Sequence, residues 1–87
     1  MKINKAIQDE GYKTTDFQIC SVLLYFSHRL SEIDKSNSSR CTFEIERKSN
    51  TEEVIEKFYD GRLLVEPKRF AAIQKDLKGR LFNQNAN

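Results

Sequence analysis

Apolar and polar positions along the chain follow two periods, and the switch between them marks the elements. Ile19, Val22, Leu23, Phe26 and Leu30 recur at the i, i+3, i+4, i+7, i+11 spacing of one helix face. Thr15 with Gln18 three residues on fits a capping box, and Asp16 suits the positive end of the helix dipole. Together they predict a helix over residues 16–29. Beyond Leu30 the period falls to two. Cys41, Phe43 and Ile45 alternate with Thr42, Glu44 and Glu46, the pattern of a strand with one face in the core and one in water. Ser31 to Asp34 reads as a shorter strand. The polar run Lys35-Ser36-Asn37-Ser38-Ser39 turns the chain, so residues 31–46 form a β-hairpin.

The second half repeats the helical signals. Asn50 with Glu53 resembles another capping box, Val54, Ile55 and Phe58 give a short apolar face, and Gly61 suits the position after the helix end. Leu63-Leu64-Val65 reads as a buried apolar link. Pro67, where a missing N–H costs nothing, opens a last helix near residues 67–82 with the stripe Phe70, Ile73, Leu77 and Leu81. Tyr12 to Thr14 adds a leading strand. The expectation is one α+β domain over residues 11–82, ordered helix, β-hairpin, helix, helix. Residues 1–10 are read as a flexible N-terminal segment and 83–87 as a disordered tail.

The first helix carries a second apolar line. Phe17 and Leu24 fall nearly opposite the main stripe at about 100° per residue. A helix apolar on most of its circumference is buried on two sides. Either it lies between a sheet and other helices, or Phe17 and Leu24 form an oligomer face.

Composition sets the class. Eighty-seven residues hold one core, and 38% hydrophobic with 32% charged residues describe a globular chain rather than a disordered one. The longest apolar run, Val22 to Phe26, is far short of the roughly 18 residues of a membrane span. The first residues lack the apolar stretch of a secretory leader, so Cys20 and Cys41 are expected as reduced thiols of a cytoplasmic protein.

Charge separates by segment. Glu44 to Asp60 holds six acids and three bases, net −3, whereas Arg62 to Phe82 holds six bases and two acids, net +4. Small residues sit among the bases of the last helix: Lys68 and Lys75 share a face with Ala72 and Gly79, while Arg69 and Arg80 flank the apolar stripe on one side and Lys78 on the other. With Lys35 and Arg40 at the hairpin tip, Lys68, Arg69, Lys75 and Lys78 are the candidate contacts for a phosphate backbone or a partner.

Catalytic and metal chemistry lack a pattern. His28 has no nucleophile or carboxylate nearby in sequence and reads as a helix-end or surface residue. Cys20 and Cys41 lie 21 residues apart without further ligands, and read as small buried hydrophobes. The glycines at 11, 61 and 79 form no phosphate loop. No enzyme, cofactor or metal is expected.

Tyr12-Lys-Thr-Thr-Asp16, Cys41-Thr-Phe-Glu-Ile45, Phe58-Tyr-Asp-Gly61, Val65-Glu-Pro-Lys-Arg-Phe70 and Leu77-Lys-Gly-Arg-Leu81 together resemble a family of short, uncharacterised domains of bacteria and their phages. The resemblance spans residues 12–82 and implies a small α+β fold with no activity attached. Two readings of function follow. One is a non-enzymatic protein-binding module, using the Phe17/Leu24 line, as in a homodimer, or the acidic outer face of the hairpin. The alternative is sequence-tolerant nucleic-acid binding through the basic last helix.

Overall fold

The computed structural model describes residues 11–37 and 39–83. The expected flexible segment 1–10 lies outside them, as do residues 84–87 of the expected tail. The elements are β1 (Tyr12–Thr14), α1 (Phe17–Tyr25), β2 (Leu30–Asp34), β3 (Thr42–Ile45), α2 (Thr51–Asp60) and α3 (Pro67–Asn83). This is the α+β single domain the periodicities predict, with the leading strand present.

Antiparallel pairing joins the strands in the order β1–β3–β2. Tyr12 faces Ile45 and Thr14 faces Phe43; on the other side, Ile33 faces Phe43. The register shifts between Leu30 and Glu32, where Ser31 is the extra residue of a bulge. One sheet face rests on α1, which touches β1 and β3 on that side and α2 and α3 on others. Burial on two sides thus comes from within the chain. Ile19, Cys20, Val22 and Leu23 of α1 meet Phe43, Ile45, Val54 and Leu77 in the core.

The starts of α1 and α3 use acids as acceptors. Asp16, not Thr15, is the N-cap of α1: its Oδ1 accepts from the backbone N–H of Gln18 (2.8 Å) and Ile19 (3.2 Å). Asn50 occupies the cap position of α2 but makes no side-chain cap bond. Glu66 opens α3, accepting from the N–H of Lys68 (3.2 Å) and Arg69 (2.7 Å), while its own N–H donates to the Tyr25 hydroxyl (2.9 Å). The start of α3 is thereby tied to the end of α1.

Two expectations are corrected. The first helix stops at Tyr25, not Arg29, because Ser27 takes a left-handed conformation (φ 70°) and His28 N–H reaches back to the Leu23 carbonyl at 3.0 Å. Leu30 therefore leaves the helical stripe and pairs with Ile45 in the sheet. The link after α2 is not buried as a unit either: Leu64 is 88% exposed, with Leu63 and Val65 half-buried on either side. Three residues cannot all face inward from an extended link with a core on one side only.

Candidate functional site

The sheet face away from α1 is open and polar. Across its middle run Lys13, Glu44 and Glu32, because Lys13 pairs with Glu44 on β1–β3 and Glu32 pairs with Glu44 on β2–β3. Asp34, opposite Thr42, joins them. These residues line a small groove of about 130 Å³. Three carboxylates and one ammonium thus line it, and two of the carboxylates stand directly opposite each other, an arrangement that opposes sheet pairing. The N–H of Ser36 donates to the Asp34 carboxylate (2.9 Å) and holds its pKa below the usual range, so this acid stays charged.

Glu44 also borders a larger groove of about 480 Å³ toward the bulge, lined by Gly11, Arg29, Ser31, Glu46 and Arg47 among others. A Cβ on Gly11 would lie 2.8 Å from the Glu44 Cγ. Gly11 is the residue that lets the Glu44 side chain lie over the start of β1. Arg47 pairs with Glu52 and lies 5.6 Å from the centre of the Tyr12 ring. Arg29 is exposed.

The basic residues of α3 divide into two groups. The Arg69 guanidinium lies 4.5 Å from the centre of the Tyr25 ring, and the Lys78 ammonium 5.9 Å from that of Phe17. These two therefore fasten α3 to α1. Arg80 pairs with Asp76 at 3.4 Å. Lys68 and Lys75 are exposed, with a shallow depression of about 410 Å³ beside Lys75, between Ala72 and Gly79. Lys35 is half-buried and donates to the Leu81 carbonyl, so it caps the end of α3 and brings the hairpin loop to that helix. Arg40 is exposed on the same loop.

Phe17 and Leu24 are half-buried and packed on the core. Phe17 meets Phe43 edge-on, ring centres 6.4 Å apart. Both side chains thus already have contacts within the chain.

Cys20, Cys41 and His28 are the remaining reactive groups that the sequence singles out. Cys20 is fully buried, and desolvation pushes its thiol up to about 12. Cys41 is half-buried. His28, read from sequence as a surface residue, is only 5% exposed. Its Nδ1 lies 3.1 Å from the Phe26 carbonyl, which only accepts, so Nδ1 carries the proton. Nε2, 2.9 Å from Thr51 Oγ1, then accepts the threonine O–H, while that oxygen accepts the Lys48 N–H at 2.7 Å. Every polar atom is used, and burial keeps the imidazole pKa below its ordinary value. The turn after α1 is thereby joined to the start of α2.

The sequence located the acidic hairpin face but not the opposition of Glu32 and Glu44, which depends on the bulge at Ser31. No signal in the stretch Leu30-Ser31-Glu32 marks that bulge.

A family model described as a domain of unknown function (DUF5659) matches residues 9–83. No curated protein and no solved structure matches the chain.

Proposed function

We propose that this chain, which belongs to the DUF5659 family, is a small non-enzymatic module that binds another protein through the open face of its sheet. The observation that carries the reading is the unbalanced groove on that face: Glu32 opposite Glu44, with Asp34 beside them and Lys13 the one cation among the described residues that line it. A free chain gains nothing from opposing two carboxylates, whereas a basic partner is attracted by both. His28 and Cys20 speak for a non-enzymatic role, since one is spent on a structural hydrogen-bond relay and the other is buried as a thiol. Free thiols at Cys20 and Cys41 suit a reducing compartment such as the cytoplasm, and the resemblance adds a bacterial or phage source to the proposal.

Panning a random peptide library on the chain and on its Glu32→Lys/Glu44→Lys variant tests the reading. Lysine- and arginine-rich peptides are expected on the first and acidic peptides on the second. The same sequences enriched on both, or none on either, would overturn it.

A further inference from the structure

We infer that the partner docks as an extended strand on the free edge of β2, with lysine or arginine at alternate positions. The inference rests on the binding reading above and adds how the partner is held. Among the described residues, in the order β1–β3–β2, strand β2 pairs on one side only, and its five residues Leu30–Asp34 are the longest strand. A strand with one unpaired side presents alternate N–H and C=O groups that an incoming chain completes.

Charge and register choose the occupant. On β2 the solvent-facing Glu32 and Asp34 stand beside that edge, backed by Glu44 across the strand. A new strand paired to β2 puts every second side chain on this same face. A basic residue there lies next to Glu32 and offsets the repulsion between Glu32 and Glu44. A second copy of this chain fits poorly. Docked antiparallel about Glu32, it would set that carboxylate against its own equivalent. The acids on the strand guard the edge against such self-pairing, while leaving it open to a strand of opposite charge.

The test uses the full chain, isotope-labelled, and a peptide of about six residues alternating lysine with valine. Three ligands are titrated: this peptide, its counterpart N-methylated on the amides of one edge at a time, and a peptide with glutamate for lysine. Expected are hydrogen-exchange protection of β2 amides facing away from β3, and binding at least about tenfold weaker when the pairing edge is methylated. The glutamate peptide should not bind, Glu32→Lys should weaken the lysine peptide, and Glu32→Lys with Glu44→Lys should exchange the preferences of the two charged peptides. Equal affinity for the plain and both methylated peptides would overturn strand addition while leaving the acidic-face reading standing. Protection on β2 in the absence of peptide, rising with protein concentration, would show self-pairing and overturn the choice of occupant. No binding of any basic peptide to the folded chain would overturn both readings.

Discussion

Ser27 ends α1 by the same backbone geometry with which Gly61 ends α2. Each residue has a left-handed φ, 70° for Ser27 and 72° for Gly61. In each case the following N–H reaches back five residues, from His28 to the Leu23 carbonyl and from Arg62 to the Lys57 carbonyl, both at 3.0 Å. Glycine takes this conformation freely; a serine does so against the clash of its Cβ.

Exchanging the two requirements gives opposite signs. Ser27→Gly is expected to stabilise the chain by about 0.5–1 kcal/mol, the relieved strain exceeding the added freedom of the unfolded state. Gly61→Ala is expected to cost about 1–2 kcal/mol. Nothing lies within 4 Å of a Cβ built there, so that loss comes from backbone conformation alone. Urea midpoints of both variants check the pair. A destabilised Ser27→Gly would show that the serine side chain contributes more than its strained backbone costs.

This pair also explains where the sequence was legible. Gly61 marks the end of α2 in the sequence, and the helix ends at Asp60. Ser27 carries no such signal, so the apolar spacing of Phe26 and Leu30 carried the expected helix past its true end at Tyr25. Alternation of Cys41, Phe43 and Ile45 placed the strand, because one buried face admits one register. The interior role of His28 was illegible for a different reason. It depends on Thr51, 23 residues away, and on the turn at Ser27 that rotates the histidine inward. The acidic face of the hairpin was visible in the pattern, whereas the edge position of β2 required the crossover that places β3 in the middle.

His28 makes stability depend on pH below neutrality. Its pKa is lowered in the fold, chiefly by burial, so the unfolded chain binds its proton first as pH falls. The contribution is fully present above the unfolded value of about 6.5 and declines as pH falls from there toward the lower folded value. The slope from this one group is at most about 1.4 kcal/mol per pH unit. Urea midpoints between about pH 7 and 5.5, above the main carboxylate range, should fall for the native chain and stay flatter for His28→Gln. An imidazole titrating above about 6.5 in the folded chain by NMR would reverse the sign.

Removing the hydroxyl at Thr51 probes the same relay without touching the titrating group. Thr51→Val leaves His28 Nε2 and the Lys48 N–H without their partner in a buried site. A loss of about 1–3 kcal/mol is expected, the cost of an unsatisfied buried polar group. Thr51→Ser keeps the oxygen and should retain most of that stability in the same denaturation experiment.

Charge reversal on the sheet should be asymmetric. Glu32→Lys converts a like pair with Glu44 into an opposite one, and a gain of about 0.2–1 kcal/mol is expected. Glu44→Lys gains against Glu32 but loses against Lys13 on its other side, so its net effect should be near zero. Thermal unfolding of both variants at low salt reads the difference, and added salt should shrink it. A Glu32→Lys variant no more stable than the native chain would mean the two carboxylates avoid each other in solution. The repulsion invoked for partner binding would then be absent.

Nucleic-acid binding should be weak and shallow in its salt dependence. Of the bases that suggest it, Arg69 and Lys78 lie against the rings of Tyr25 and Phe17, and Lys35 caps α3. Arg69 and Lys78 are exposed as well, so what sets Arg40, Lys68 and Lys75 apart among the candidate contacts is exposure without a ring contact among the described residues. Three cations neutralising three phosphates give a log–log salt slope of about −2 to −2.7, too little to hold a complex at physiological ionic strength. Polarisation titrations with mixed DNA and RNA should therefore show binding only at low salt. A slope of about −5 or steeper, abolished by Lys68→Ala with Lys75→Ala, would mean that Arg69 and Lys78 leave their rings for phosphate. The basic helix, rather than the sheet, would then be the working surface of the domain.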